Sequence, residues 1–422
     1  MVLDRRPLPF PRRGGLPVGL PVRFSLLVAI CVLALLVMPV GARAQAEGDD
    51  AHELSHSYAF GQSATFSLRV NSVDEIEDAT LYLRINDSYT DTQRGDTDGA
   101  SATAVRELGE APLPPFAHIA YWWAYETPDG ESVETDRATF QYKDNRFNWL
   151  SAGDDVVRVH WISGERAKMV RAVDVAHNAL AEIQAALKAE VDGVDLYIYP
   201  SQTDLSSAMQ LARYGWVSGV AYPELDVALV VVPPTEAGLL SMDIDIPHEL
   251  THHAIYDLLG PQGYATLPTW LNEGLATHFE ARPDSNYALA LEAARQANTL
   301  IPISELCLPF PESPARAELA YAQSGSLIRY LQQRYGWSQI RELLAIYADG
   351  VACSTGIEKV LGVNIDQLDR GWRAWLAQDQ PSIQASSGRE DLAILAQDAG
   401  PWLMLLGALL LPSALLLLAG RR

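Results

Sequence analysis

The residues with the clearest chemical potential in this sequence are the five from His248 to His252, which read His-Glu-Leu-Thr-His. On an α-helix, two histidines four positions apart lie on the same face, one turn apart, so both imidazoles can bind a single Zn²⁺ ion. Glu249 then lies beside the metal, where its carboxylate can take the proton of a water activated by zinc. The motif therefore predicts a zinc site with Glu249 as the general base.

The surrounding residues favour a helix for this motif. Asp245 and Pro247 suit the first turn of a helix, and Gly260 followed by proline suits its end. The apolar residues that recur at helical spacing, and predict a buried stripe, are Leu250, Ala254 and Leu258.

Two imidazoles do not complete a zinc site, because a catalytic zinc has three protein ligands and an open position for water. The candidate third ligand is Glu273, which is separated from His252 by 20 residues, enough for a turn and an antiparallel helix from Pro268. In that helix Glu273 faces the two histidines, whereas Leu271 and Leu275 pack on the opposite side.

A second copy of the motif lies at His52–His56, which reads His-Glu-Leu-Ser-His. This copy has no apolar helical stripe and leads directly into a sequence that alternates as a β-strand does. Two interpretations stay open for it, an accidental match and an exposed, weak metal site.

The segment that contains His248, residues 151–377, predicts a mostly helical α+β domain. Strands are predicted at Val156–Ile162 and Val194–Tyr199, and a buried strand at Asp226–Val232 ends at a proline pair. A helix follows the first strand, and its apolar stripe is Met169, Val173, Ala176, Leu180, Ile183 and Leu187. Beyond residue 246 the pattern is almost wholly helical.

Residues 45–150 predict a β-domain. Apolar and polar residues alternate in 64–70 and 79–85, a further strand covers His118–Glu126, and shorter strands follow at Glu131–Thr135 and Ala138–Lys143. Several short alternating strands are typical of a β-sandwich of the immunoglobulin or fibronectin type.

Both ends of the chain predict a location outside the cytoplasm. Residues 1–44 combine arginines, an apolar run and a small-x-small site, as an export signal peptide does, with an uncleaved anchor as the alternative. Residues 401–420 contain no charged side chain and precede two arginines, which predicts a single transmembrane helix with a short cytoplasmic tail. A polar linker, residues 378–400, joins this helix to the rest. A removable sorting signal is the alternative interpretation of the C-terminal segment.

The composition of the chain restricts its possible binding partners and the redox state of its cysteines. A net charge of −22 argues against nucleic-acid binding, because an acidic surface repels phosphates. Outside the export segment the cysteines are Cys307 and Cys353. Such a pair most often forms a disulfide in an oxidising compartment, and two buried thiols are the alternative.

The motifs resemble those of the gluzincin metallopeptidases, the clan of thermolysin and aminopeptidase N, and are most similar to the bacterial peptidase MA-like family. The resemblance rests on His248–His252 followed by Trp270–Ala276, and on the later stretches Ala320–Ser324 and Arg329–Trp337. It implies that His248, His252 and Glu273 hold a zinc ion. It also implies that Glu249 acts as base and then as acid while a peptide bond is hydrolysed.

Two features bear on specificity within this clan. Its aminopeptidases bind the free amine of the substrate through a Gly-x-Met-Glu-Asn segment, which this sequence lacks; Gly219–Pro223 stands at the comparable place. Endopeptidase activity therefore stays open. The clan also supplies a Tyr or His that stabilises the oxyanion. Tyr321 is the candidate, with core packing as the alternative role.

Together these features predict a membrane-anchored, extracytoplasmic zinc metallopeptidase. Its expected partners are peptide or protein substrates and, through the C-terminal helix, the membrane. One alternative is a non-catalytic surface binding protein with a vestigial or structural zinc site, and another is an enzyme that hydrolyses a non-protein amide such as cell-wall material.

Overall fold

The computed structural model describes residues 51–378, except 110–111, 163, 165, 210–217, 283 and 312. The predicted signal peptide at 1–44 and the predicted transmembrane helix at 401–420 lie outside the described residues. Within the described ranges, no helix is both long enough and apolar enough to cross a membrane.

Residues 52–141 form nine β-strands, which we call the N-terminal β-region. The strands are β1 (His52–Ala59), β2 (Ser63–Val70), β3 (Asp78–Ile85), β4 (Tyr89–Arg94), β5 (Asp96–Asp98), β6 (Ser101–Glu107), β7 (His118–Glu126), β8 (Ser132–Glu134) and β9 (Ala138–Gln141). One antiparallel sheet has the order β1-β2-β6-β5. The other has the order β4-β3-β7-β8, and β9 also pairs with β7.

The two sheets of the N-terminal β-region enclose one core. Buried residues alternate with half-buried ones along β2, through Phe66 and Leu68, and along β3, through Leu81 and Leu83. These four side chains belong to one buried cluster that also contains Trp123 of β7. The predicted β-structure at the N-terminal end is therefore confirmed.

A mixed five-stranded sheet follows. Its strands are β10 (Leu150–Gly153), β11 (Val157–Trp161), β12 (Val194–Tyr199), β13 (Gly219–Tyr222) and β14 (Val227–Val231). The order is β10-β11-β12-β14-β13. Strands β11, β12 and β14 are parallel, while the edge strands β10 and β13 run antiparallel to their neighbours. Helix α1 (Arg166–Leu187) supplies the crossover that the parallel pair β11 and β12 requires.

The remainder of the described chain is mostly helical, as predicted. Its helices are α2 (Gln202–Met209), α3 (Glu236–Ala265), α4 (Thr269–Phe279), α5 (Ser285–Ala297), α6 (Ile303–Leu306), α7 (Pro314–Tyr335), α8 (Trp337–Ala348), α9 (Cys353–Leu361) and α10 (Ile365–Gln378). Cys307, which follows α6, and Cys353, which begins α9, are joined by a disulfide.

Helix α3, which carries the motif His248–His252, begins earlier than the sequence predicts. Its N-cap is Thr235, whose Oγ1 accepts a hydrogen bond from the Gly238 N–H at 3.0 Å. Pro247 therefore lies inside the helix and not in its first turn. Gly260 has φ 68° and ψ 171°, which breaks the helix at its predicted end, but a second helical segment continues to Ala265.

The mixed sheet packs between the N-terminal β-region and the helices. Tyr197 and Tyr199 of β12 belong to the same buried cluster as the core of the β-region. The Tyr199 hydroxyl donates a hydrogen bond to the fully buried Asp144 at 3.1 Å. On the opposite face of the sheet, a separate cluster joins its strands to α1 and α3, and contains Met169 and Leu250. The motif His248–His252 therefore lies on the helical side of the sheet.

Candidate metal centre

The two motif histidines lie side by side on α3. The ring centroids of His248 and His252 are 5.2 Å apart. Leu250 and Ala254 are buried, as the apolar stripe predicts, and they hold the opposite side of the helix against the core. The prediction is wrong for Leu258, which is 40% exposed because it lies in the last turn before the break at Gly260.

Glu273 on α4 completes the cluster. Its Oε2 lies 3.5 Å from Nε2 of His248 and 3.6 Å from Nε2 of His252. The candidate ligand atoms of these three residues all lie within 4.8 Å of one another. In the described part of the chain, no other group of at least three His, Cys, Asp or Glu side chains comes this close. Leu271 and Leu275 are fully buried away from the cluster, as predicted.

The other ring nitrogen of each histidine has an oxygen partner. Nδ1 of His248 lies 3.1 Å from Oε1 of Glu280, and Nδ1 of His252 lies 3.1 Å from Oδ1 of Asn272. The Asn272 side chain is itself held, because its Nδ2 donates to the Tyr264 hydroxyl at 3.1 Å. These partners favour the tautomer with hydrogen on Nδ1, which leaves both Nε2 atoms free to bind a metal.

Glu249 is buried beside the cluster and faces strand β13. The Ala221 N–H donates a hydrogen bond to its carboxylate. Burial, together with the nearby carboxylates of Glu273 and Asp245, raises the pKa of Glu249 to about 8, while His248 acts in the opposite direction. A metal cation would also favour the charged form and lower this pKa. The hydrogen bond from Ala221 thus fixes the position of the Glu249 carboxylate, and its pKa lies close to neutral pH.

An open cleft of about 410 Å³ exposes these groups to a substrate. The described residues that line it include the three candidate ligands, Glu249, strand β13 from Gly219 to Ala221, and the three tyrosines Tyr264, Tyr287 and Tyr321. The Tyr321 hydroxyl donates a hydrogen bond to Glu273, and burial raises the pKa of Tyr321. Its ring centroid lies 6.1 Å from that of His248. The predicted catalytic tyrosine therefore lies in the cleft.

Strand β13 contains the segment predicted to stand where aminopeptidases bind the substrate amine. It is an edge strand, and among the described strands it pairs with β14 alone. Gly219 approaches Glu249 so closely that a Cβ atom there would collide with Oε1. Among the described residues, the other edge of β13 is unpaired, and an edge of this kind is one to which a peptide can add.

Sequence reasoning missed four polar residues around the centre. They are Asn272, Glu280, Tyr264 and Asp245; Asp245 lines the cleft and accepts a hydrogen bond from the Ser218 hydroxyl at 2.7 Å. Asn272 lies next to Glu273 in the recognised motif, so its position was a usable signal. Tyr264 and Glu280 reach the site through the break at Gly260 and the end of α4, which no local pattern indicates, whereas Asp245 lies one turn before His248 on the same helix.

The second copy of the motif has a structural role. It forms strand β1, where His52 Nε2 lies 2.9 Å from the Tyr125 hydroxyl and His56 Nδ1 lies 3.3 Å from the Tyr121 hydroxyl. His56 also stacks on Phe140 with ring centroids 3.9 Å apart. Among the described residues, no third His, Cys, Asp or Glu side chain joins this pair, which favours the interpretation as an accidental match.

The region that contains the cluster of His248, His252 and Glu273 is similar to a known protein family. A family model described as the Peptidase MA superfamily matches residues 175–378, which include the whole candidate metal centre. The sequence matches no curated protein.

Three solved structures show a distant similarity to parts of the chain. Legionella pneumophila aminopeptidase A in complex with aspartic acid is 12% identical, with a TM-score of 0.35, 74% of this chain covered and 47% of that chain. The module BhCBM56 is 15% identical, with a TM-score of 0.19 and coverage of 22% and 96%. Purple acid phosphatase PPD1 from yellow lupin, Lupinus luteus, is 9% identical, with a TM-score of 0.19 and coverage of 44% and 35%. The chain thus spans less than half the length of the aminopeptidase and of the phosphatase.

Proposed function

We propose that the protein is a zinc metallopeptidase that hydrolyses peptide bonds, because residues 175–378 match the family model of the Peptidase MA superfamily. One observation carries the proposal: His248, His252 and Glu273 converge on one point, and Glu249 stands beside them in an open cleft. A purely structural zinc site usually has four protein ligands and no access for substrate.

The chemistry of the donor set fits zinc. Two imidazole nitrogens and one carboxylate oxygen are the ligands of one common class of catalytic zinc sites, and the fourth position stays open. Glu280 and Asn272 fix the orientation of the two imidazoles. When bound, zinc would polarise a carbonyl oxygen and lower the pKa of a water molecule.

Side chains of the protein would carry out the proton transfer and stabilise the developing charge. We assign to Glu249 the removal of a proton from the attacking water and its transfer to the leaving amine nitrogen. Tyr321 would stabilise the negative charge that develops on the carbonyl oxygen. Tyr264 is a second candidate for this role, because its oxygen accepts a hydrogen bond from Asn272 and its own proton remains for another acceptor in the cleft.

A Glu249→Gln substitution tests the proposal in the full-length protein. We expect the variant to bind zinc as the wild type does and to lose about 10²–10⁴-fold in the rate of peptide cleavage, because the general base is gone. Glu292→Gln, on the exposed side of α5, is the matched control and should cleave normally. Equal cleavage by wild type and Glu249→Gln would contradict the proposed mechanism. If the wild type and Glu249→Gln bound a partner equally well and neither cleaved peptides, the result would favour a surface binding protein.

We further propose that the protein acts outside the cytoplasm and is anchored by residues 401–420. The composition of both termini supports this location, and so does the disulfide between Cys307 and Cys353, because structural disulfides persist in oxidising compartments. Protease added to intact cells should then digest the catalytic segment, and its full protection would contradict the location.

For the N-terminal β-region we propose an immunoglobulin-type sandwich. The order β1-β2-β6-β5 corresponds to the order A-B-E-D of that fold, and β3 and β7 occupy the places of strands C and F.

A further inference from the structure

Pro247 leaves one carbonyl of α3 without its usual helical partner. It lies inside the helix, directly before the candidate ligand His248. Proline has no backbone N–H, so the carbonyl of Asp243, four residues earlier, receives no hydrogen bond from position 247. Backbone carbonyls inside a protein are nearly always paired, so this one must find a donor outside the helix.

The donor comes from the chain directly after α4. The Ala281 N–H donates a hydrogen bond to the Asp243 carbonyl at 2.8 Å. The residue before it, Glu280, has φ −53° and ψ 122°, so the backbone leaves the helical path there. Oε1 of the same Glu280 lies 3.1 Å from Nδ1 of His248. The backbone bond and the side-chain contact thus tie two adjacent residues to the same stretch of α3.

The Asp243 turn of α3 is a firm anchor for this connection. Arg171 of α1 donates from Nη2 to both carboxylate oxygens of Asp243, at 2.9 and 2.7 Å. Its Nη1 also donates to the Leu239 carbonyl at 3.2 Å. Because the anchor is held from the other side, the bond from Ala281 fixes the end of α4 relative to α3.

We propose that Pro247 is a positioning residue for the metal centre. Because Pro247 has no N–H, the Asp243 carbonyl stays available to accept a hydrogen bond from the Ala281 N–H. This hydrogen bond places the Glu280 side chain next to His248. The inference deepens the proposed function and rests on it. With alanine at position 247, the new N–H would pair with Asp243 inside the helix and Ala281 would lose its acceptor. Glu280 would then no longer orient His248, and zinc binding would weaken.

The test measures zinc affinity and amide exchange in the full-length protein. We expect Pro247→Ala to weaken zinc binding about tenfold in competition with a chelator, because acceptors behind ligating histidines change metal affinity about 10–100-fold. Amide exchange at Ala281 should accelerate in the same variant. Ala281→Pro removes the N–H donor at position 281, whereas Pro247→Ala adds a competing N–H at position 247. Both variants should weaken zinc binding to a similar extent. Pro261→Ala, in the second segment of the same helix, is the matched control and should bind zinc as the wild type does.

A double variant separates positioning from a general effect on α3. We expect Glu280→Gln to weaken zinc binding by itself, and Pro247→Ala to add less than about twofold to it, because both act through one contact. A full Pro247→Ala effect on top of Glu280→Gln would overturn the inference, as would unchanged exchange at Ala281 in Pro247→Ala. A wild type that binds no zinc would defeat the metallopeptidase proposal, whereas the exchange measurement would still decide whether Pro247 controls the Ala281 bond.

Discussion

Among single residues, His278 should link the stability of the protein to pH. Its Nδ1 is buried without a partner among the described residues, and its ring contacts Trp337 with centroids 5.2 Å apart. Burial lowers the pKa of His278 to about 4 from the model-compound value of 6.5. Between these two values the unfolded chain binds a proton that the folded chain does not bind. The free energy of unfolding must therefore fall as the pH falls from 6.5 towards 4.

His278→Gln removes this proton uptake. From the two pKa values, His278 accounts for about 2 kcal/mol of the stability lost between pH 7 and pH 5, and the variant should lose that much less. Urea unfolding at both pH values measures the difference. An identical loss in wild type and variant would show that His278 is protonated equally in both states.

The candidate metal ligands could be predicted because helical periodicity alone fixes how His248 and His252 share a face. Glu273 followed from the same periodicity on the next helix. Glu280 and Tyr264 could not be predicted in this way. Their contacts depend on where α4 ends and on how α3 continues after Gly260, and both depend on packing between helices.

Among the elements, strand β13 determines how closely the backbone approaches Glu249, the proposed general base. Its first residue, Gly219, leaves no room for a Cβ atom, which would meet Glu249 Oε1. Gly219→Ala should therefore displace the Glu249 carboxylate and lower kcat about 10²-fold, because a misplaced catalytic group loses its reactive geometry. Zinc content should stay as in the wild type.

Gly109→Ala is the control for this prediction, because a Cβ atom at position 109 meets nothing within 4 Å. Kinetics on one peptide substrate, with metal analysis of each sample, distinguish the outcomes. A Gly219→Ala variant with normal kcat would show that β13 does not constrain Glu249.

Three elements show where local patterns fail. The polar stretch 88–101 forms β4 and β5, which have few or no buried residues, so no apolar alternation marks them. The sequence predicts too late a start for α3, because Pro247 has the character of a first-turn residue. The true cap at Thr235 follows the proline pair directly, and the Asp243 carbonyl released by Pro247 is satisfied by a residue from another element.

At the scale of the whole molecule, the N-terminal β-region and the mixed sheet should unfold together. They share a buried cluster in which the Tyr199 side chain is fully buried and bonded to Asp144. Tyr199→Ala should lower the free energy of unfolding by about 3–5 kcal/mol and keep a single calorimetric transition.

Tyr82→Ala is the control for that prediction, because Tyr82 is only half-buried and stacks on Trp122 of the neighbouring strand β7. It should cost clearly less stability. Two separate transitions in Tyr199→Ala would mean that the β-region folds independently of the sheet.

The most direct test of the account is the zinc content of the purified full-length protein, measured for the wild type and Glu273→Ala side by side. The account predicts about one zinc ion per wild-type chain, as a site with three protein ligands requires, and its loss in the variant. A well-folded wild type without zinc, or a Glu273→Ala variant that keeps it, would contradict the proposed metal centre.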